Sequence, residues 1–295
     1  MSQYSHKEFN SKRYDSARPT YPDELYQELL KYHQGPTKLA IDVGTGSGFV
    51  SYKLSSFFDK VIGTDISETM IKSCLINDKY SGAIENGKLQ FDIGTGEKQP
   101  PQIEDQSVDL ITAAECCHWF NHDAFFEESS RVLRTGGTLG IWFYRDPVFI
   151  GHPEADEIYW NYSYNSLIEI DEDGKEIERW MGPFYEQPGH EFLRTFLGDV
   201  SVPKDKFKDD LTVEYNPLVD SESKSPLFIK KRITVKIFEQ YVKSWSAYLT
   251  WMKTYGHKYD VAERMTQELK DKLGWDDDTE FEIVFRTWYK FLRRT

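Results

Sequence analysis

The segment Asp42-Val43-Gly44-Thr45-Gly46-Ser47-Gly48 decides both the fold and the ligand class of this 295-residue chain. It follows the apolar run 39–43 and precedes the helix-forming run 49–58, so it predicts a glycine-rich loop between a strand and a helix. Glycines in such a loop permit a tight turn and let a ligand approach the backbone closely. The segment therefore predicts a nucleotide-type binding site at the end of a strand.

The spacing of the glycines narrows the choice of ligand. A dinucleotide-binding G-x-G-x-x-G loop has its third glycine at the sixth position, where this chain has Phe49. Asp42, two residues before the first glycine, would repel a pyrophosphate but suits S-adenosylmethionine (SAM), which carries an ammonium and a sulfonium and no phosphate. A P-loop is excluded because no G-K-[ST] follows. SAM is thus favoured, and NAD stays as the weaker alternative.

A carboxylate after the second predicted strand supports this interpretation. Asp65 lies 21 residues past Gly44, where an acid can accept hydrogen bonds from both ribose hydroxyls. Strand, glycine loop, helix, strand and terminal acid together favour cofactor binding over a turn followed by a surface aspartate. The loop 94–96 follows the third predicted strand and would border the adenine, although a simple turn is equally compatible with Thr95.

The alternation of elements predicts a doubly wound α/β fold. Five predicted strands alternate with helices over the first 145 residues, at 39–43, 61–64, 88–93, 108–113 and 138–144. Such βαβ units require a parallel sheet with helices on both faces. Two later strands at 208–216 and 280–291 would complete a mostly parallel, seven-stranded sheet. Between them, apolar residues at helical spacing predict one long amphipathic helix over 235–252.

The segment after the fourth predicted strand should face the reacting group, because ligands bind beyond the carboxyl ends of parallel strands. Ala113 and Ala114 are small and leave room there. His118 is a candidate for a base or for a residue that positions the substrate, and a packed structural histidine is the equal alternative. His118 and His122 lack the H-E-x-x-H pattern, so we expect no metal site.

The amino-acid composition limits which binding partners and which cellular compartment are expected for this chain. The net charge of −13 makes the chain a poor binder of phosphate backbones, so no nucleic-acid substrate is expected. The sequence has no apolar run of 18 residues, so no membrane insertion is expected. Three cysteines without a CxxC pair predict reduced thiols and a cytoplasmic location, and we expect a monomer.

Several motifs together resemble a known superfamily. The glycine loop, Asp65 and Gly136-Gly137 are similar to the class I SAM-dependent methyltransferases. Further segments resemble the subgroup that contains the fungal trans-aconitate methyltransferase. They are Phe9-Asn10-Ser11-x-x-Tyr14, Arg18-Pro19-x-Tyr21-Pro22, His118-Trp119-Phe120, 182–189, 245–248 and 281–294. The resemblance spans nearly the whole chain, with gaps around 150–180 and 253–280.

The resemblance implies one methyltransferase domain over 1–295. It divides into an N-terminal lid at 1–22, a SAM-binding core at 23–145 and two insertions at 146–205 and 217–278 that cap the substrate. The implied reaction is methyl transfer from SAM to a carboxylate of a small polycarboxylic acid, an anionic acceptor. Two alternatives stay open: an acceptor that is hydroxylated, amphipathic or isoprenoid, with His118 as base, and a catalytically silent SAM-binding protein.

The candidate site residues follow from these motifs. The cofactor-binding candidates are Tyr14, Arg18, Asp42, Gly44, Thr45, Gly46, Asp65, Ile66, Met70, Thr95, Gly96, Ala113 and Glu115. The substrate-binding candidates are Trp119, Trp142, Tyr144, Arg232, Trp245 and Tyr248, with His118 as the candidate catalytic residue. Arginine forks suit carboxylates, so the cations that could hold a polycarboxylic acid are Arg18, Arg145, Arg194 and Arg232.

Overall fold

A parallel sheet forms the first half of the protein. The computed structural model describes residues 18–295. Its first five strands are β1 (Leu39–Val43), β2 (Lys60–Asp65), β3 (Leu89–Ile93), β4 (Val108–Ala114) and β5 (Leu133–Phe149). They pair in parallel in the order β3-β2-β1-β4-β5. The strand order reverses beside β1, which is the switch point where ligands bind in doubly wound folds.

The later strands extend this sheet in the antiparallel direction. The long strand β10 (Glu280–Arg294) pairs with β5 on one side and with β8 (Phe207–Tyr215) on the other. A further strand, β9 (Lys230–Thr234), pairs with the beginning of β10. Within residues 18–295 the sheet thus has eight strands, which confirms the predicted fold class and corrects the predicted number of seven. Strand β9 was not predicted from the sequence, because Ile233 is the one buried residue among its five.

Helices cover both faces of the sheet. The helices of the first half are α1 (Asp23–Tyr32), α2 (Phe49–Leu54), α3 (Glu68–Leu75), α4 (Asp78–Glu85) and α5 (His122–Val132). Those of the second half are α6 (Pro153–Tyr164), α7 (Gly189–Arg194), α8 (Val235–Val242), α9 (Ser246–Tyr255) and α10 (Val261–Leu273). Neighbouring residues of β1 enter different cores, Ala40 the one and Ile41 the other, because side chains alternate along a strand.

The single long helix predicted over 235–252 is wrong. The structure has two helices, α8 and α9, separated by residues 243–245. Trp245 adopts an extended backbone and precedes the first residue of α9. Lys243 in this break forms ion pairs with Glu239, Asp260 and Glu263, which fix the joint between the helices. The interruption carries no glycine or proline, so the apolar periodicity alone could not reveal it.

The second half also contains a small hairpin that docks on the last helix. Strands β6 (Ile168–Ile170) and β7 (Glu176–Glu178) pair in antiparallel fashion apart from the main sheet. Arg179 just after the hairpin contacts Glu169 at 2.7 Å and Glu268 of α10 at 2.8 Å. These ion pairs join the two predicted insertions to each other. Of the predicted N-terminal lid, only residues 18–22 belong to the described part of the chain.

Three further observations concern disulfides, metal ligands and membrane-spanning helices. Cys74, Cys116 and Cys117 are buried and form no disulfide. Within residues 18–295, no group of three or more His, Cys, Asp or Glu side chains is placed to hold a metal ion. In the same range, each helix is too short or too polar to cross a lipid bilayer.

Helix α8 gives a test of the packing. Phe238 is fully buried, and its ring centroid lies 5.2 Å from that of Phe149 in β5. We expect Phe238→Ala to lower the free energy of unfolding by about 3–5 kcal/mol, because it leaves a cavity between helix and sheet. The neighbouring Ile237 is 49% exposed, and Ile237→Ala should change this free energy by about 0.5 kcal/mol or less. Urea denaturation of both variants measures the difference, and equal losses would contradict this packing.

Candidate active site

The glycine loop is shaped by a buried carboxylate. Asp42 at the end of β1 accepts hydrogen bonds from the hydroxyls of Thr45 (2.7 Å), Ser51 (2.9 Å) and Thr112 (2.8 Å). Burial raises the pKa of Asp42 to about 6, and the three hydroxyls oppose this rise. Asp42 therefore joins the loop, helix α2 and strand β4 at one point. These hydrogen bonds organise the loop, and the assignment of Asp42 to the cofactor stays a prediction.

Two glycines of this loop have the backbone conformation that favours glycine. Gly44 has φ +63°, and a Cβ there would lie 2.6 Å from the Cβ of Cys116. Gly46 has φ +54°, and a Cβ there would meet nothing within 4 Å. The first glycine thus lets β4 approach the loop, whereas the second leaves open space above the backbone. That space is where a ligand can contact the loop.

Asp65 is bound to the same loop from the next strand. Its two carboxylate oxygens accept hydrogen bonds from the amides of Gly46 (2.9 Å) and Ser67 (2.8 Å). Burial raises the pKa of Asp65, and these two amides act in the opposite direction. Each carboxylate oxygen has a second lone pair, so Asp65 can hold this position and still accept hydrogen bonds from a ribose.

The loop and Asp65 border a cavity of about 700 Å³, which we call the larger cavity to distinguish it from a smaller one beside it. It is lined by most of the predicted cofactor residues: Arg18, Asp42, Gly44, Thr45, Gly46, Asp65, Ile66, Met70, Thr95, Gly96 and Glu115. The predicted Ala113 is not among them, because its side chain is fully buried in the core, and the next residue, Ala114, lines the cavity instead. Tyr14 lies outside the described residues.

One end of the larger cavity has apolar walls. Ile66 follows Asp65 and is 59% exposed towards this space, and Met70 of α3 also lines it. On the other side, the ring of Phe120 packs against Gly96 so closely that a Cβ there would lie 2.7 Å away. These residues suit a flat base beside the ribose acid. Phe120 was missed as a site residue because its sequence neighbours gave no sign of this approach.

A second cavity of about 100 Å³, the smaller cavity, adjoins the first. The two cavities share Arg18, Glu115, Trp119 and Tyr144. The smaller cavity is otherwise lined by His118, Arg145, Asp146, Tyr159, Tyr164, Tyr185, His190, Leu193, Arg194, Tyr241, Trp245 and Ser246. It therefore lies beyond the carboxyl end of β4 and beside residues 144–146 of β5, under segments that connect the later strands.

The predicted substrate residues divide into two groups. Trp119, Tyr144 and Trp245 line the smaller cavity, as does the candidate catalytic residue His118. The other three predicted residues lie outside this cavity, because each is held by contacts elsewhere in the structure. Trp142 is wholly buried, with its ring edge-on to Tyr21 and Tyr26. Arg232 is exposed and forms an ion pair with Glu280 on the neighbouring strand at 2.8 Å. The hydroxyl of Tyr248 donates a hydrogen bond to Asp260 at 2.9 Å.

Three of the four candidate arginines converge on the smaller cavity. Arg145 forms an ion pair with Asp146 at 3.0 Å and stacks over Phe196. Arg194 lies over the ring of Tyr164, with its guanidinium carbon 4.7 Å from the ring centroid. Arg18 completes the set. The fourth candidate, Arg232, is exposed and pairs with Glu280 of β10 instead.

Arg18 is held at the junction of the two cavities. Its guanidinium donates to the Tyr144 hydroxyl and to the carbonyl of Ser244, both at 3.4 Å. Its own carbonyl accepts a hydrogen bond from Lys231 at 3.1 Å, which ties the segment before α1 to β9. Lys231 was missed from the sequence, because 213 residues separate the two partners and β9 itself was not predicted.

His118 faces the smaller cavity as a neutral imidazole. Burial, with His190 and Arg18 nearby, lowers its pKa to about 3. Its ring lies 4.7 Å from that of Trp119, and its Nδ1 atom has no hydrogen-bond partner among the described residues. A base this weak accepts a proton poorly at neutral pH, so the geometry favours a hydrogen bond to a bound molecule over proton abstraction.

Comparisons with known proteins identify the family. Residues 41–141 match the family described as methyltransferase domain. The Saccharomyces cerevisiae protein named "Probable S-adenosylmethionine-dependent methyltransferase CRG1" is 30% identical over 300 residues, which cover 99% of this chain and 98% of the yeast protein. The chain belongs to the SAM-dependent methyltransferases.

A more distant relative and a solved structure are also similar to this chain. A Dictyostelium discoideum protein named as a methyltransferase is 29% identical over 269 residues, covering 91% of this chain and 87% of that protein. The solved structure of a type II methyltransferase, so titled, from Anaeromyxobacter dehalogenans superposes with a TM-score of 0.65 at 20% identity. It covers 93% of the methyltransferase described here and 97% of its own chain, and it shows the shared fold.

The larger cavity fits SAM, the cofactor of this methyltransferase. In the predicted placement, Asp65 would accept from the ribose hydroxyls, and Ile66, Met70 and Phe120 would form apolar walls for the adenine. The open space over Gly46 admits the ligand to the loop backbone. The methionine part would then point towards Arg18 and Glu115, where the two cavities meet.

Asp65 offers a direct test of this placement. We expect Asp65→Asn to weaken SAM binding about tenfold or more, because the amide group cannot accept from the loop amides and the ribose with both of its polar atoms. Asp92 on the neighbouring strand β3 binds Gln102 at 2.8 Å, so Asp92→Asn serves as the matched control. Calorimetric titration with SAM measures both, and an unchanged dissociation constant for Asp65→Asn would refute the assignment.

Proposed function

We propose that this methyltransferase transfers the methyl group of SAM to a carboxylate of a small polycarboxylic acid, such as trans-aconitate. The observation that carries the proposal is the convergence of Arg18, Arg145 and Arg194 on the smaller cavity. Guanidinium groups bind carboxylates through paired, charge-assisted hydrogen bonds. The same subgroup resemblance that pointed to an anionic acceptor therefore agrees with the cations around this cavity.

The arginines differ in how much charge they can offer to an acceptor. Arg145 is neutralised by the buried Asp146, which also accepts hydrogen bonds from the hydroxyls of Tyr159 and Tyr164. Among residues 18–295, the one ion pair of Arg194 is with Glu191, at 3.2 Å, and this carboxylate is half-exposed. Ion pairs at exposed positions are weak, so Arg194 can exchange Glu191 for a bound acid at little cost. We therefore assign the non-reacting carboxylate to Arg194 and Arg18.

The reaction requires positioning more than acid–base chemistry. Bound SAM supplies a methyl group that is already activated on a sulfonium. An acceptor carboxylate is ionised at neutral pH and needs no general base. The protein's own residues then act by orienting the acceptor and excluding water. Trp119 and Tyr144 line both cavities and so border the path of the methyl group.

One set of observations favours a second candidate acceptor. Five tyrosines and two tryptophans line the smaller cavity, and Tyr185 stacks on His190 with their rings 3.7 Å apart. Aromatic walls also suit a neutral hydroxylated or isoprenoid acceptor. In that case His118 would hydrogen-bond the acceptor, and the arginines would serve the structure alone.

The remaining parts of the proposal concern the surroundings of the site. We infer that residues 1–22 and the segment 146–190 close over the two cavities and keep water out. Tyr164 and Tyr185, which belong to the second segment, already form walls of the smaller cavity. We further propose that the protein acts as a cytoplasmic monomer on a small molecule rather than on nucleic acid, in keeping with its net charge of −13.

Methyl transfer to a panel of acceptors tests the proposal. The panel contains trans-aconitate, isopropylmalate, citrate and itaconate, with a phenol and an isoprenoid as controls, and the SAM carries a labelled methyl group. Base-labile label on an acid is expected, because the product is a methyl ester. Label on the phenol or the isoprenoid alone would replace the carboxylate by the second candidate acceptor.

Arg194 distinguishes the arginine model from a purely structural role. We expect Arg194→Met to raise KM for the acid about tenfold or more with the SAM dissociation constant unchanged, because a charged hydrogen bond is worth roughly 1.5–3 kcal/mol. Arg194→Lys should recover part of the loss. Arg232→Met, at the exposed pair with Glu280, is the control and should leave KM unaltered. A KM for Arg194→Met equal to that of the control would overturn the model.

The pH dependence separates the two acceptor classes. With SAM saturating, kcat/KM for a carboxylic acid should stay level from pH 7 to pH 8, because the nucleophile is ionised and His118, whose pKa is lowered to about 3, remains neutral. Any fall towards pH 6 would come from Asp42, whose pKa is raised to about 6, and should persist in His118→Gln. His118→Gln should lower the rate without changing the shape of this profile. A wild-type profile that falls below about pH 6.5 and flattens in His118→Gln would instead identify His118 as a base.

A further inference from the structure

Glu115 lies where the larger and smaller cavities meet. It follows β4, lines both cavities and has a φ of +55°, a left-handed conformation that a non-glycine residue rarely adopts. Its amide donates to the carbonyl of Trp142 at 3.0 Å, and its carboxylate accepts from the amide of Tyr144. Backbone hydrogen bonds to β5 on two sides therefore hold this side chain at the junction of the cavities.

The junction is where the methyl group must pass from cofactor to acceptor. Of the four residues that line both cavities, Glu115 is the one with a carboxyl group, and Arg18, Trp119 and Tyr144 are the others. The sulfonium of bound SAM must lie near these residues if its methyl group is to reach the smaller cavity. A carboxylate next to a sulfonium is favourable, but a buried carboxylate without a cation beside it is costly.

We propose that Glu115 is a proton-linked sensor of the cofactor's charge: it holds its carboxyl proton in the cofactor-free protein and releases it to solvent when the sulfonium binds beside it. The O–H bond of Glu115 breaks, the electron pair stays on the carboxylate, and the proton goes to the buffer. After methyl transfer the cofactor is a neutral thioether, and Glu115 takes a proton back. This inference rests on SAM occupying the larger cavity and does not depend on the acceptor's identity.

The charges around Glu115 support this behaviour. Burial raises the pKa of Glu115 to about 8, and the amide of Tyr144 and the charge of Arg18 only partly oppose this. From helix α8, Tyr241 faces the same space, and Cys116 is the neighbour along the chain. The pKa values of Cys116 and Tyr241 are both raised by burial, so these two groups keep their protons at pH 8.

The two histidines of the smaller cavity and Asp42 do not titrate at that pH. Burial lowers the pKa of His118 to about 3 and that of His190 to about 4, so both are already neutral. The pKa of Asp42 is raised only to about 6, so this acid is already ionised. A proton that is released at pH 8 on cofactor binding by the wild type and not by Glu115→Gln therefore comes from Glu115.

Calorimetric titrations in buffers of different ionisation enthalpy count this proton. At pH 8 about half a proton should be released per SAM bound, because a carboxyl with a pKa near the ambient pH is half protonated, whereas S-adenosylhomocysteine (SAH) should release close to none. By linkage, the ratio of the Kd of SAH to the Kd of SAM should rise about fivefold between pH 7 and pH 8. Both ligands carry an α-amino group and a carboxylate, so the SAM–SAH difference, compared between the wild type and Glu115→Gln, isolates the response of Glu115 to the sulfonium.

Glu115→Gln is the decisive variant, because the amide oxygen can still accept from Tyr144 while no proton is held. This variant should bind SAM without proton release, and its Kd ratio should not change with pH. Equal release with SAM and SAH, or the same release from Glu115→Gln as from the wild type, would overturn the proposal. If Glu115→Gln fails the thermal-unfolding control, the comparison of SAM with SAH on the wild type decides alone. No acceptor is present, so the result is independent of the methyl-transfer assay.

Discussion

The three hydroxyl groups that bind the carboxylate of Asp42 form the constraint on which the rest of the site depends. Thr45, Ser51 and Thr112 come from the loop, from α2 and from β4, and one buried acid joins them. The loop so fixed presents the amide of Gly46 to Asp65 of β2. Three neighbouring strands are thereby connected by polar contacts at their carboxyl ends, and the larger cavity opens directly above them.

The cofactor half of the protein was predictable because its determinants are local in sequence. Strand, glycine loop, helix and Asp65 fall within 27 residues, 39–65, and fold as one βαβ unit. The one error among its described residues, Ala113, is an error of alternation: adjacent residues of a strand face opposite sides, and Ala114 has the exposed side. Tyr14 lies outside the described residues and stays a prediction.

For the part of the protein that lines the smaller cavity, the sequence predicted the kinds of residue present but not their positions. An aromatic, arginine-containing pocket was expected, but Arg145 and Arg194 were assigned no more weight than Arg232, because their convergence depends on how the later segments fold. Trp142 and Tyr144 lie on the same face of β5, two residues apart. Trp142 is covered by Tyr21 and Tyr26, whereas Tyr144, nearer the carboxyl end of the strand, lines both cavities. Lys231 was not predicted because its contact with Arg18 spans 213 residues and leaves no periodic signal. Strand β9 was not predicted because Ile233 is the one buried residue among its five.

The way in which the two cavities are built has a consequence for how this protein can change. The floor of the site consists of strand ends, whereas the walls of the smaller cavity come from chain that leaves the sheet after β5 and after β9. Substitutions or insertions in those walls alter the shape and charge offered to an acceptor without moving the strands or the glycine loop. Selectivity for the acceptor can therefore diverge between relatives while cofactor recognition is retained, because the two tasks are encoded in different stretches of the same chain.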